Sequence, residues 1–329
     1  MEEKKKKIYI LATGGTIAGR GQEGKTAVYK AGGLNLDELL STIPKLHDQV
    51  EMDGEQMLSV DSNNVTVKDW IQMANRINEL SKTDIDGFVI THGTDTMDET
   101  AYFLNLTVKT EKPVIITGAM RPATAASADG PLNLYQAISL AASSEAWGQG
   151  VLVCFCDSIY SGRDVQKVNT FKTDAFNEKD LACLGYMRDE YCYFYNKSLA
   201  VHTVRSMFDV TQVKELPRVD ILYFCVDANP DLLHFSAQHS KGIVICGTGS
   251  GDYSEAWMKE IAKLEDKGIP VVRASRIGSG VITENKYFEQ SKNCIPAYTL
   301  PPQKARILLS LSLLYTNQFE EIKKIFQRY

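Results

Sequence analysis

The chain has 329 residues, 44% hydrophobic and 23% charged, an ordinary globular composition with length enough for two domains. A net charge of −5 speaks against a nucleic-acid binder, and no run approaches the ~18 apolar residues of a membrane span. Seven cysteines are scattered, several within apolar runs, without zinc-site spacing; the five histidines form no His-x-x-x-His pair, so structural thiols and no metal are expected.

A lysine run, 4–7, leads into a first strand over 8–13. The apolar stretch 8–12 is shorter than the roughly 7–15 residues of a signal core, so a cytoplasmic location is expected, or a periplasmic one if a signal was removed before this numbering. Further strands are expected over 87–91, 113–117 and 151–156, and helices over 66–80, 98–106 and 131–142. Trp70, Met73, Ile77 and Leu80 share one helical face, with Thr66 as its cap. Apolar strands alternating with helices imply βαβ units and a parallel sheet covered on both faces. Residues 157–215 look polar and irregular, and the domain connection is placed at 196–216. Beyond it, strands are expected over 219–226, 242–246 and 269–273, and helices over 253–266, 302–315 and 319–328. The fold class is therefore α/β with two α/β domains: a larger N-terminal one (1–195), mostly parallel sheet flanked by helices, and a smaller C-terminal one (217–329).

Two strands stop at threonine-bearing glycine turns. The first turn is Thr13-Gly14-Gly15-Thr16, the second Thr91-His92-Gly93-Thr94-Asp95-Thr96. Ligands of open α/β sheets bind beyond the carboxyl ends of such strands, so two hydroxyls and a carboxylate are candidates for one site. A dinucleotide loop would need Gly-x-Gly-x-x-Gly running into a helix, and Gly14, Gly15 and Gly19 have the wrong spacing. Taken singly, the first motif also reads as a plain turn, and Thr94 or Asp95 as a helix N-cap. His92 reads as structural, since no catalytic spacing recruits it. Gly162-Arg163-Asp164-Val165-Gln166-Lys167 supplies a lysine that is either a solvated surface group or, if buried beside a hydroxyl, an activator of it. Gly118-Ala119-Met120-Arg121-Pro122 offers backbone N–H groups at another strand end, with Arg121 able to pair with Asp129 or Asp98. Gly247-Thr248-Gly249-Ser250-Gly251 lacks the ending of a phosphate loop.

Together these strings resemble the bacterial-type L-asparaginase family, which includes the glutaminase-asparaginases. The matching strings are Ile10-Leu-Ala-Thr-Gly-Gly-Thr-Ile-Ala-Gly19, Val89-Ile-Thr-His-Gly-Thr-Asp-Thr-Met97, Glu99-Thr-Ala-Tyr-Phe-Leu104, Gly118-Ala-Met-Arg-Pro122, Ala128-Asp-Gly-Pro131, Gly162-Arg-Asp164 and Pro302-Gln-Lys-Ala-Arg306. The resemblance implies hydrolysis of the side-chain amide of L-asparagine to aspartate and ammonia, without a cofactor. It also implies a homotetramer built as a dimer of dimers, each site lying between the N-terminal domain of one subunit and the C-terminal domain of its partner.

Thr16 matches the family's nucleophile and Tyr29 the lid tyrosine that hydrogen-bonds it. Thr94, Lys167 and Asp95 match a second, triad-like group, with Asp95 also gripping the substrate's α-ammonium. Ser62 matches the serine that binds the α-carboxylate, and Ala119 the backbone group facing the reacting amide. The chain departs from the family's usual pattern at Asn63, where glutamine is common, and at Ser250, where asparagine is common. Glu284 falls where the partner subunit's acidic residue is expected. These positions bear on substrate length, and one methylene is usually worth only ~1–3 kcal/mol, so a minor glutaminase activity is expected. Glycines 19, 21, 24, 32 and 33 flank Tyr29, and a loop so punctuated can open for substrate and close to exclude water. An amino-acid sensor on the same scaffold would not need the set Thr16, Tyr29, Thr94 and Lys167. A tRNA-dependent amidotransferase subunit would need a further N-terminal domain, and the acidic balance suits tRNA poorly.

Overall fold

Runs of Ile, Val and Leu form the inner strands of a mostly parallel sheet, because strands buried on both faces need apolar residues at every position. A computed structural model describes residues 5–26, 29–30, 32–43 and 50–329, residues 29 and 30 by backbone alone. The chain divides into two units, Met1–Gln212 and Val213–Tyr329.

In the first unit, β1 (Lys6–Gly14) is followed by an antiparallel ribbon of β2 (Arg20–Gly21) and β3 (Tyr29–Lys30), then by α1 (Leu36–Leu40), β4 (Val50–Val60) and α2 (Val67–Leu80). Next come β5 (Gly87–Thr91), α3 (Met97–Thr107), β6 (Val114–Thr117), α4 (Gly130–Ala142), β7 (Val151–Phe155) and β8 (Ser158–Ser161). A second ribbon of β9 (Gln166–Lys167) and β10 (Phe176–Asn177) precedes β11 (Gly185–Arg188) and β12 (Tyr191–Phe194). One 8-stranded sheet has the order β12-β11-β8-β7-β6-β5-β1-β4. Its strands are parallel from β4 to β7 and antiparallel from β7 to β12.

The sequence expectation overlooked β4 and the antiparallel edge. Of the residues 157–215, those from 157 to 212 belong to this unit and contain five strands: Lys109 Nζ donates to Ser206 O at 2.6 Å, and Phe208 is fully buried. β4 (VEMDGEQMLSV) is an edge strand with few buried positions, so it lacks the apolar run that marks the inner strands.

Alternating residues face opposite sides of the sheet. Ile8, Ile10, Val89, Ile115 and Leu152 pack with Leu134 and Ile138 of α4. On α2, Thr66 accepts from Asp69 N and Asp69 accepts from Thr66 N, a reciprocal capping box. Trp70 of α2 stacks on Phe103 of α3, with ring centroids 5.2 Å apart.

The chain leaves β1 for β4 on one side, then crosses to β5 on the other. The carboxyl ends of β1 and β5 thus flank a topological switch point, where such sheets open a crevice.

The second unit has β13 (Val219–Tyr223), α5 (Asp231–His239), β14 (Gly242–Gly247), α6 (Glu255–Glu265), β15 (Val271–Ser275), β16 (Cys294–Pro296), α7 (Pro302–Ser312) and α8 (Phe319–Arg328). Its four strands pair in parallel in the order β13-β14-β15-β16. Ile243, Ile245 and Val271 pack with Leu233 of α5 and with Trp257 and Ile261 of α6. Helix α5 and strand β16 have too few periodic residues to stand out in the sequence.

Arg273 on β15 is 1% exposed. Its Nη1 donates to Ser250 O at 2.6 Å, and its Nη2 donates to Thr283 O at 2.7 Å and Glu289 Oε1 at 3.0 Å. One buried guanidinium therefore ties two loops together. Replacing Arg273 by alanine leaves the Glu289 carboxylate, itself largely buried, without this partner. We expect a stability loss of about 3–5 kcal/mol, read as a lowered urea midpoint; a midpoint unchanged from wild type would show the tie to be dispensable.

Candidate active site

Glycine backbone contact assembles the site. β1 ends in Gly14 and Gly15 follows it, with φ of 103° and 79°, a left-handed conformation that favours glycine. The turn lets Gly15 N donate to Val60 O at 3.0 Å and starts the 3-10 turn Thr16–Ala18. A Cβ on Gly15 would lie 2.4 Å from the Gly93 backbone, and one on Gly93 would lie 2.8 Å from Ser62 Cβ. Only without side chains do these three loops meet.

Their meeting point is a cavity of about 190 Å³ lined by Gly15, Thr16, Asp61, Ser62, Gly93, Thr94, Asp95, Met120, Lys167 and Thr170. Thr16 and Ser62 are buried at its wall. Lys167 comes in on β9, its side chain only 15% exposed, so it is not the solvated surface lysine that its loop composition allowed. Its Nζ donates to Thr94 Oγ1 at 2.9 Å and to Asp95 Oδ1 at 2.5 Å. Asn63 Nδ2 donates to Asp95 Oδ2 at 3.1 Å. The Lys167 ammonium, aided by the Asn63 amide, holds the Asp95 carboxyl below the usual carboxylate range against the opposing effect of burial.

The N-cap alternative for Thr94 and Asp95 is not realised. Helix α3 starts one residue later, with Thr96 at the cap position and its hydroxyl donating to Ser62 O at 2.8 Å. Both side chains ahead of the helix are therefore turned to Lys167.

His92 is fully buried and is absent from the cavity wall. Its Nδ1 lies 2.7 Å from Gly93 O and its Nε2 3.0 Å from Thr100 Oγ1. A carbonyl can only accept, so Nδ1 carries the proton and Nε2 accepts from the threonine. That hydroxyl in turn accepts from Trp70 Nε1 at 2.8 Å. Burial holds the His92 pKa below its ordinary value. The imidazole is a neutral strut that fixes the Gly93 carbonyl just ahead of Thr94.

The loop after β6 is pinned by Asp129, which accepts from Met120 N and Arg121 N, each at 2.9 Å. The Arg121 guanidinium donates to Ser127 O rather than to Asp129 or Asp98. Ala119 is fully buried, and the neighbouring Met120 lines the cavity. Tyr29 lies in the ribbon of β2 and β3; its side chain falls outside the described residues, as do residues 27, 28 and 31 of the expected lid.

Thus Thr16, Ser62, Thr94, Asp95 and Lys167 line one cavity, and Asn63 touches it through Asp95. Asp61, Met120 and Thr170 were not anticipated. Asp61 and Met120 adjoin expected residues, Ser62 and Ala119, and that adjacency was the available signal. Ser250 and Glu284 belong to the second unit. Ser250 sits between Gly249 and Gly251, both at positive φ, and its carbonyl takes the Arg273 bond. Glu284 pairs with Lys323 at 3.0 Å and accepts from Gln327 Nε2 at 3.1 Å. Among the described residues, no group of three or more His, Cys, Asp or Glu side chains is placed to hold a metal, and no helix is long and apolar enough to cross a membrane.

An α/β protein with two threonine hydroxyls, a shielded ammonium and a carboxylate gathered at a switch point has the equipment of a hydrolase acting on a small polar substrate. The chain belongs to the asparaginase family: its residues 7–200 match the family model "Asparaginase, N-terminal" and residues 218–326 match "Glutaminase/Asparaginase C-terminal domain". It is 44% identical over 325 residues to L-asparaginase 2 of Bacillus subtilis, covering 98% of this chain and 86% of that protein. It is 41% identical over 332 residues to the glutaminase-asparaginase of Acinetobacter glutaminasificans, covering 99% and 100%. The crystal structure of the probable cytoplasmic L-asparaginase from Campylobacter jejuni superposes with a TM-score of 0.95 at 41% identity, covering 99% of this chain and 100% of that one.

Proposed function

We propose that this chain hydrolyses the side-chain amide of L-asparagine to L-aspartate and ammonia through an ester on Thr16. The observation that carries the reading is the placement of Thr16 and Thr94 on one cavity, with Lys167 Nζ bonded to the Thr94 hydroxyl. Thr16 Oγ1 attacks the carboxamide carbon, the amide nitrogen takes up a proton, and ammonia leaves. Water then attacks the ester, aspartate is released and the Thr16 hydroxyl is regenerated. Thr94 positions this water, and Lys167 lowers the cost of drawing a proton from Thr94 by stabilising the negative charge that develops on its oxygen.

Asp95 holds the substrate's α-ammonium, with Asn63 steadying its carboxylate; Ser62 binds the α-carboxylate. The Ala119 backbone faces the reacting amide. Tyr29 closes over Thr16. The domain reading follows the same division of labour. The N-terminal part, 1–195, carries the nucleophile; the C-terminal part, 217–329, brings Ser250 and Glu284 to a partner subunit's site; and 196–216 joins them. The assembly is a homotetramer built as a dimer of dimers. No cofactor or metal is required. The location is cytoplasmic, a reading supported by the similarity to the probable cytoplasmic Campylobacter enzyme.

The test is ammonia release from asparagine and glutamine side by side. Because a single methylene separates the two substrates, kcat/KM for asparagine should exceed that for glutamine by about 10–200-fold. No ammonia from asparagine, or a preference for glutamine, refutes the assignment.

A further inference from the structure

The cavity has a second carboxylate for which the reaction as described has no use. Asp61 follows β4 directly and precedes Ser62. Its Oδ1 accepts from Asn63 N at 3.0 Å and from Asn63 Nδ2 at 2.9 Å. The same Nδ2 donates to Asp95 Oδ2 at 3.1 Å. One side-chain amide therefore holds two carboxylates side by side at the wall.

The charges do not balance. Among the described residues lining the cavity Lys167 is the cation, and it already pairs with Asp95 Oδ1. The Asn63 amide donates hydrogen bonds but carries no charge, so it orients the two acids without neutralising them. The described part of the wall, with two carboxylates and one ammonium, attracts a further cation and repels a further anion. The cavity, about 190 Å³, restricts that cation to a small molecule.

We propose that Asp61 is a specificity-determining residue: held beside Asp95 by Asn63, its carboxylate makes the cavity select zwitterionic amino acids over dicarboxylic acids that lack an α-ammonium. The inference rests on the asparagine-hydrolase reading above. The second carboxylate strengthens the hold on the α-ammonium. It also penalises any ligand whose two carboxylates arrive with no positive charge between them. Succinate is such a ligand; it is aspartate without the amino group. Asparagine and its product both carry the ammonium and so are retained.

The experiment compares wild type with Asp61→Asn, which keeps the shape and removes the charge, and Asp61→Glu, which keeps the charge. The readouts are inhibition constants for aspartate and succinate, and kcat and KM for asparagine. For Asp61→Asn, the aspartate inhibition constant should rise about tenfold, matching a loss of ~1.4 kcal/mol, while that for succinate stays level or falls. KM for asparagine should rise, with kcat within about threefold of wild type. Asp61→Glu should keep the wild-type preference for aspartate over succinate. Equal weakening of both inhibitors in Asp61→Asn would mean that Asp61 only supports the turn, and would overturn the proposal, as would an unchanged ratio. If wild type released no ammonia from asparagine, the hydrolase reading would fail by itself. Calorimetric titration of aspartate and succinate would still decide the role of Asp61.

Discussion

Replacing Thr16 by alanine is expected to lower ammonia release from asparagine by about 10⁴-fold or more, while the fold stays in place. The size of the effect follows from the role. Without Oγ1 no ester forms, and what remains is whatever the rest of the cavity does to a bound amide and water. The local backbone is held by groups the substitution leaves alone. Gly15 N still donates to Val60 O at 3.0 Å, and Gly19 N to Thr16 O at 2.8 Å. The stability cost should be about 1 kcal/mol, the usual scale for one side-chain hydroxyl. Aspartate should still bind, because Ser62 and Asp95 are untouched. A melting curve and an aspartate titration thus separate lost chemistry from lost structure. An enzyme turning over near the wild-type rate would remove Thr16 from the nucleophile's place.

The second large effect concerns Lys167. Methionine keeps most of the length of the side chain and removes the ammonium, along with its bonds to Thr94 Oγ1 at 2.9 Å and Asp95 Oδ1 at 2.5 Å. Turnover should fall by about 10²–10⁴-fold, the range for a group that assists proton movement. Aspartate binding should be largely retained. Weakened binding with normal turnover would reverse the role assigned here.

Acid titration provides an independent check. Lys167 depresses the folded-state pKa of Asp95, so their pairing adds stability above the unfolded carboxyl's pKa of about 3.9. That contribution disappears as pH falls through the lower folded value. Lys167→Met should lack this acid-side loss, which urea melts at descending pH would detect. The Asp95 side chain is 52% exposed, so solvent screening keeps the effect small.

Much of the first unit is legible because its inner strands are buried on both faces. β1, β5, β6 and β7 each read as an unbroken apolar run, and α2 shows both its stripe and its cap at Thr66. The edges are not legible in the same way. β4 mixes Asp53, Gly54, Glu55 and Gln56 into a strand paired on one side only. β11 and β12 alternate buried or half-buried residues with exposed ones over four residues each, too short a pattern to separate from a polar loop.

The site divides along a similar line. Two hydroxyls at strand ends, Thr16 and Thr94, could be read from local order, since a run of Ile and Val stopping at glycine marks a strand's carboxyl end whatever surrounds it. Ser62 carries no such mark, and only family resemblance singles it out; the segment of Lys167 leaves it open between a surface lysine and an activator, and burial decides. Convergence is a property of packing. The backbones of Gly15 and Gly93 touch although 78 positions separate them, and Ser62 meets Gly93 while Val60 takes the Gly15 N–H bond, because β4 lies parallel to β1. Asp61, Met120 and Thr170 join the wall for the same reason. Local periodicity records which face of a strand is buried, because burial acts on each residue in turn. It holds no record of which distant loops come to share a cavity, since that depends on contacts that exist only once the sheet is assembled.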